Sequence, residues 1–145
     1  MKIHYTINFC LFFLCMYVVP NFSVTFTRDD PTNPPVPYVG SNISYRCQAL
    51  FPSNLLGGLT GIVEITGPSC TPLDSTGGHV RVSETTQDGN TFVRTLYFSP
   101  LSAEDEGEYR CTGILQPVTP NPLVTNRAQS ETQTITIIGE INMRV

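Results

Sequence analysis

"LSAEDEGEYRC" runs from Leu101 to Cys111, and four of the five residues from Glu104 to Glu108 are acidic. Carboxylates at that density suit acid/base chemistry, a bound cation, or a solvated turn. The residues that follow choose among these. Gly107, Tyr109 and Cys111 fall on one side of a two-residue alternation, and Glu106 and Glu108 on the other. That is the period of a half-buried strand, so these two carboxylates are expected in solvent. The stretch also lacks oxygen ligands at every second position, as a calcium loop requires. It is expected to be a turn that leads into a strand.

The same period recurs upstream and downstream. "NISYRC" puts Ile43, Tyr45 and Cys47 in phase. "TGIVEIT" is rich in β-branched residues, and "HVRVSET" alternates before the hairpin signal "QDGN". "TFVRTLYFS" places Phe92, Arg94, Leu96 and Phe98 on one side, and "TQTITII" brings Ile135 and Ile137 into phase. With "VTFT" and "VPYVG" near the start, the chain is expected to form seven to nine short strands. No helical period or internal repeat interrupts them. Twelve prolines and eleven glycines supply the turns. Two sheets packed face to face would bury one side of each strand, so the expected class is an all-β sandwich.

At 145 residues the chain suits one domain. Lys2 followed by the apolar run Ile7–Val19 and then Pro20 resembles a secretory leader, too short to span a bilayer comfortably. Residues 1–23 are expected to be that signal peptide, 24–138 the domain and 139–145 a tail. Without the leader, seven arginines face twelve acidic residues, a net charge of −5. Such a surface repels phosphate backbones, so nucleic acid is not an expected partner. No later stretch reaches membrane-spanning length. Loss of Cys10 and Cys15 with the leader leaves Cys47, Cys70 and Cys111. An odd count in a secreted chain means one bridge and one thiol to explain.

Taken together, these residues resemble the immunoglobulin superfamily, in a variable- or intermediate-type domain. The likeness rests on the leader, Cys47, Arg81, and the run Leu101, Asp105, Gly107, Tyr109, Cys111, in that order. The resemblance implies an immunoglobulin-like, two-sheet antiparallel Greek-key sandwich with a Cys47–Cys111 bridge. Leu101 would plug the base of the core, Gly107 would permit the turn, and Tyr109 would bond back to the chain near it. Asp105 would pair with Arg81. The family's core tryptophan is missing, since the chain has none, and Ile65 in "IVEITGP" would take its slot with help from Phe92 or Phe98.

No catalytic, cofactor or metal site is expected. His79 is the single histidine beyond the leader, and a Cys70–His79 dyad has nothing to activate the thiol. Cys70 could be a buried apolar thiol, a bridge to another chain, or an exposed thiol. Asn42 in "NIS" fits an N-glycosylation acceptor on the outward phase of its strand; Asn21 in "NFS" also matches but overlaps the cleavage region. Two long segments, after Cys47 and after Cys111, should emerge at one end of the sandwich. Phe51, Leu55 and Leu56 in the first, and Pro117, Pro120 and Leu123 in the second, are candidate binding residues; the competing expectation is that the apolar ones fold over the core. The expected function is non-catalytic extracellular recognition of a protein or glycan, in cell adhesion or immune-type recognition, by end loops or a sheet face. A homodimer through Cys70 or a sheet face is a further expectation. Alternatives are the N-terminal fragment of a larger adhesion or receptor ectodomain and, more distantly, a secreted immune effector or enzyme inhibitor.

Overall fold

The computed structural model describes residues 22–52, 58–73, 77–119 and 127–138. The expected leader, both leader cysteines, Asn21, Leu55, Leu56, Pro120, Leu123 and the tail 139–145 lie outside the described residues. Eight strands follow in order: β1 (Ser23–Arg28), β2 (Ile43–Leu50), β3 (Leu59–Thr66), β4 (Val80–Val82), β5 (Thr86–Asp88), β6 (Thr91–Phe98), β7 (Gly107–Pro117) and β8 (Arg127–Ile135). A single turn of 3-10 helix, Ala103–Asp105, precedes β7.

The strands form two sheets packed against each other, a β-sandwich. One runs β1-β2-β6-β4, with β5 also on β6; the other runs β3-β7-β8. Every strand pair in both sheets is antiparallel. β4 and β5 lie along the same side of β6, β4 opposite Leu96–Phe98 and β5 opposite Thr91–Val93. They are one strand interrupted at residues 83–85. There Arg94, on the inward phase of β6, donates from Nε to the Ser83 carbonyl at 3.0 Å and from Nη1 to the Val63 carbonyl at 3.4 Å. The interruption thus leaves a carbonyl for a half-buried guanidinium, which keeps that charge hydrogen-bonded within the sandwich.

Alternation puts the core where the sequence suggests. In β2, Ile43, Tyr45, Cys47 and Ala49 are buried; in β7, Tyr109, Cys111, Gly113 and Leu115 are. The Cys47–Cys111 disulfide crosses between the sheets, with a Cα–Cα distance of 5.5 Å and both cysteines fully buried. Closing a loop of 64 residues stabilises the fold by about 4 kcal/mol on a chain-entropy model. Ile65 stands directly opposite Cys111 in the register and is fully buried. Phe98 supplies the bulk: it meets Tyr109 edge-on at 5.3 Å and Tyr45 at 6.4 Å, and Tyr45 in turn meets Phe26 at 5.8 Å. Phe92 serves a different place, edge-on to Phe51 at 5.3 Å.

Four boundaries differ from the sequence expectation. Phe22 is buried and β1 opens at Ser23, so the folded part starts upstream of residue 24. "VPYVG" contributes only an isolated parallel bridge, Tyr38 to Ile138. β8 begins at Arg127 rather than in "TQTITII", because six exposed residues, five of them polar, carry no alternation to read. β7 extends through Pro117, which pairs with Leu59 instead of lying in a loop.

Candidate functional site

The acidic corner assembles from consecutive residues. Ser102 caps the 3-10 turn, accepting from the Glu104 amide, while the Asp105 carboxylate accepts from the Ser102 amide at 2.7 Å. This reciprocal cap satisfies donors that the turn cannot. The Tyr109 hydroxyl then donates to the Asp105 carbonyl at 2.9 Å, so the strand is tied back to its own turn. Leu101, buried, exchanges backbone bonds with Gly40 and Ser41. Gly107 has φ of 148°, and a Cβ there would come within 2.7 Å of the Pro68 ring. Only glycine fits that conformation and that gap. Burial, and then the charge of Asp105, pushes the Tyr109 hydroxyl up to about 12.

The partner of Asp105 is His79, not Arg81. His79 Nε2 lies 2.9 and 3.0 Å from the two carboxylate oxygens. Arg81 lies opposite Tyr97 on the outer face, its guanidinium 5.2 Å from the ring centroid. The strand period explains the exchange: β4 turns Val82 into the core and Arg81 away from it. His79 precedes β4 at the corner end, where Ser99 bonds to its carbonyl and Asp105 is within reach. The corner carboxylate is thus spent on an amide and an imidazole. Glu104, Glu106 and Glu108 are exposed, and no group of three or more potential metal-ligating side chains gathers among the described residues.

At the other end of the sandwich, residues 51–52, 58–61, 89–92 and 115–118 come together. The Phe51 amide bonds to Asn90 and the Val118 amide to Gly58. Phe51, expected as a binding residue, is buried: it packs at a tilt on Phe22 at 4.8 Å and edge-on against Phe92. A Cβ on Gly61 would overlap its ring, so Gly61 is the position that admits it. Phe51 therefore closes the open end of the core. The apolar groups left outward near this end are Leu50, Ile62 and Val118.

The outer face of β3-β7-β8 continues from there. Its register sets Ile62, Ile114 and Ala128 in one cross-strand row, then Glu64, Thr112 and Ser130, then Thr66, Arg110 and Thr132. Thr112 and Ser130 hydroxyls bond at 2.8 Å. A shallow hollow lies over the lower rows, with Cys70 at its rim. Cys70 is exposed and unbridged, with φ of 59°. The buried-thiol expectation is overturned: Cys70 sits in the turn after β3, where its amide bonds to Gly67 and its side chain projects to solvent.

No protein-family model matches the chain, and no curated protein matches it. Among the described residues, no helix is long and apolar enough to cross a membrane.

Proposed function

We propose that this chain is a non-catalytic extracellular recognition module of the immunoglobulin superfamily. Its partner is a protein or glycan engaged on the outer face of β3-β7-β8 and the adjoining loop end. The observation that carries this is the corner-and-bridge assembly. An inter-sheet disulfide, a strand order of β1-β2-β6-β4 facing β3-β7-β8, and a tyrosine bonded back to its own turn occur together. Immunoglobulin-type sandwiches combine such features, and a strand order of this kind occurs in their seven-strand form, which supports the reading. A buried disulfide suits an oxidising, extracellular setting.

Fold alone gives no function, so the surface must supply it. Phe51 is occupied inside the core, which weakens a purely loop-borne site. The row Ile62–Ile114–Ala128 lies between Thr60–Gln116 on one side and Glu64–Thr112–Ser130 on the other, an apolar strip within polar neighbours and next to exposed Val118. Apolar centres with polar rims are what protein interfaces use. The test is a multimerised domain screened against arrayed ectodomains and glycans. With a binder in hand, Ile114→Asp is expected to reduce affinity at least tenfold with little change in melting temperature. Unchanged binding would remove this face from the proposal.

A further inference from the structure

The sequon Asn42-Ile43-Ser44 opens β2, and Asn42 is exposed. β2 pairs with β6 so that Ile43 faces Phe98 and Ser44 faces Tyr97. Asn42 lies two residues before Ser44 on the same outward phase, which puts Tyr97, the partner of Ser44, on its diagonal across the sheet. Diagonal neighbours are within reach of an aromatic ring. A cavity of about 220 Å³ lies at this point, and its lining includes Asp30, Asn33, Asn42, Ser44, Arg81 and Tyr97.

The chemistry of that lining is specific. The Arg81 guanidinium sits over the Tyr97 ring, 5.2 Å from its centroid, as a cation–aromatic pair. Arg81 brings several N–H donors and no acceptor; Asn33 brings both. Asp30 accepts from the Thr32 hydroxyl at 2.6 Å and amide at 3.0 Å, which lowers its pKa and keeps it an ionised acceptor. A guanidinium seated over an aromatic ring, bordered by donors and acceptors, suits an amphipathic ring. An N-acetylhexosamine is such a ring: C–H groups cover one face, with hydroxyls and an acetamide at the edge. Asn42 is itself part of the wall.

We propose that the cavity seats the first N-acetylhexosamine of an N-linked glycan carried by Asn42, with Tyr97 and Arg81 as its platform. In the modification, the Asn42 amide nitrogen bonds to the anomeric carbon of a lipid-diphosphate-linked oligosaccharide. The bond from that carbon to the diphosphate oxygen breaks, the lipid diphosphate leaves, and the amide proton passes to the host transferase. The proposal rests on the extracellular reading, since only a chain entering the secretory pathway meets that donor.

The test expresses residues 22–145 behind a heterologous leader in a eukaryotic host. Entry to the pathway then does not depend on residues 1–21. Three forms are compared: full glycan, glycan trimmed by endoglycosidase to one N-acetylglucosamine, and Asn42→Gln. Peptide mapping is expected to find Asn42 modified. The one-sugar form should melt with the full form and roughly 2–5 °C above Asn42→Gln. In a Tyr97→Ala background that gap should close, as a double-mutant cycle requires for groups in contact. An unmodified Asn42 in secreted protein, or a gap untouched by Tyr97→Ala, would overturn the proposal. Neither outcome depends on finding a binding partner, so failure here and failure of the recognition function are told apart.

Discussion

The two ends of this sandwich are closed by different means. At the corner end, closure is polar and local: Ser102, Asp105 and Tyr109 bond within eight residues of chain, and His79 is the added long-range contact. At the loop end, closure is apolar and long-range. Phe51 meets Phe22, Phe92 and Gly61, drawn from β3, β6 and the approach to β1. A polar closure constrains direction and geometry; an apolar one constrains mainly volume. The corner is therefore expected to resist change at a few named atoms, and the loop end to respond to lost bulk.

The bridge between the ends should matter most. Removing it with Cys47→Ala and Cys111→Ala together is expected to lower unfolding free energy by about 4 kcal/mol, measured by denaturant titration. A loss under about 1 kcal/mol would mean that the two closures hold the sheets together unaided. Phe51→Ala comes next, at about 3 kcal/mol, because it empties a buried aromatic site. Little loss of stability would return Phe51 to the surface and to the role of a binding residue.

At the corner, Asp105→Ala is expected to cost about 2 kcal/mol, since it strands the half-buried Ser102 amide and removes a capping carboxylate. His79 is partly exposed, so His79→Ala should cost less than about 1 kcal/mol. Arg81→Ala should cost about 0.5 kcal/mol through its lost contact with Tyr97, and it should add independently to Asp105→Ala. Coupling between Arg81 and Asp105 in that cycle would reverse the partner assignment made here.

Tyr109 adds a pH signature that the loop end lacks. Its hydroxyl ionises near 10 when unfolded and at about 12 when folded. The folded state therefore binds the proton more tightly. The stability this confers is complete below pH 10 and is lost as pH rises from about 10 to about 12. Tyr109→Phe should lose about 1 kcal/mol at neutral pH, for one hydrogen bond. Its alkaline decline, followed by thermal melts across that window, should be shallower than that of the parent protein. Equal slopes would place the alkaline sensitivity elsewhere.

Much of this difference between the ends decided what was readable. Leu101 to Cys111 could be read as a turn and strand because the bonds that shape the turn, Ser102 to Asp105 and Tyr109 to Asp105, lie within a few residues. Phe51 could not, since nothing in "QALFPSNLLGG" separates a residue that folds inward from one that binds a ligand. Exposed Arg127–Thr132, polar but for Ala128, hid the start of β8, because an edge strand exposed on both faces has no marked apolar phase. Asp105 was expected to pair with Arg81, and its pairing with His79 instead turned on where β4 begins.

The sequence by itself determined the all-β sandwich, the inward phase of its strands and the turn before β7. These follow from side-chain period and near-neighbour hydrogen bonds, which a chain carries in its order of residues. The tertiary structure decided which base meets Asp105, that Phe51 belongs to the core, that Cys70 faces solvent, and that Asn42 borders a cavity with Tyr97. Each of those depends on the distance between residues far apart in the chain, and that distance exists only once two sheets have packed.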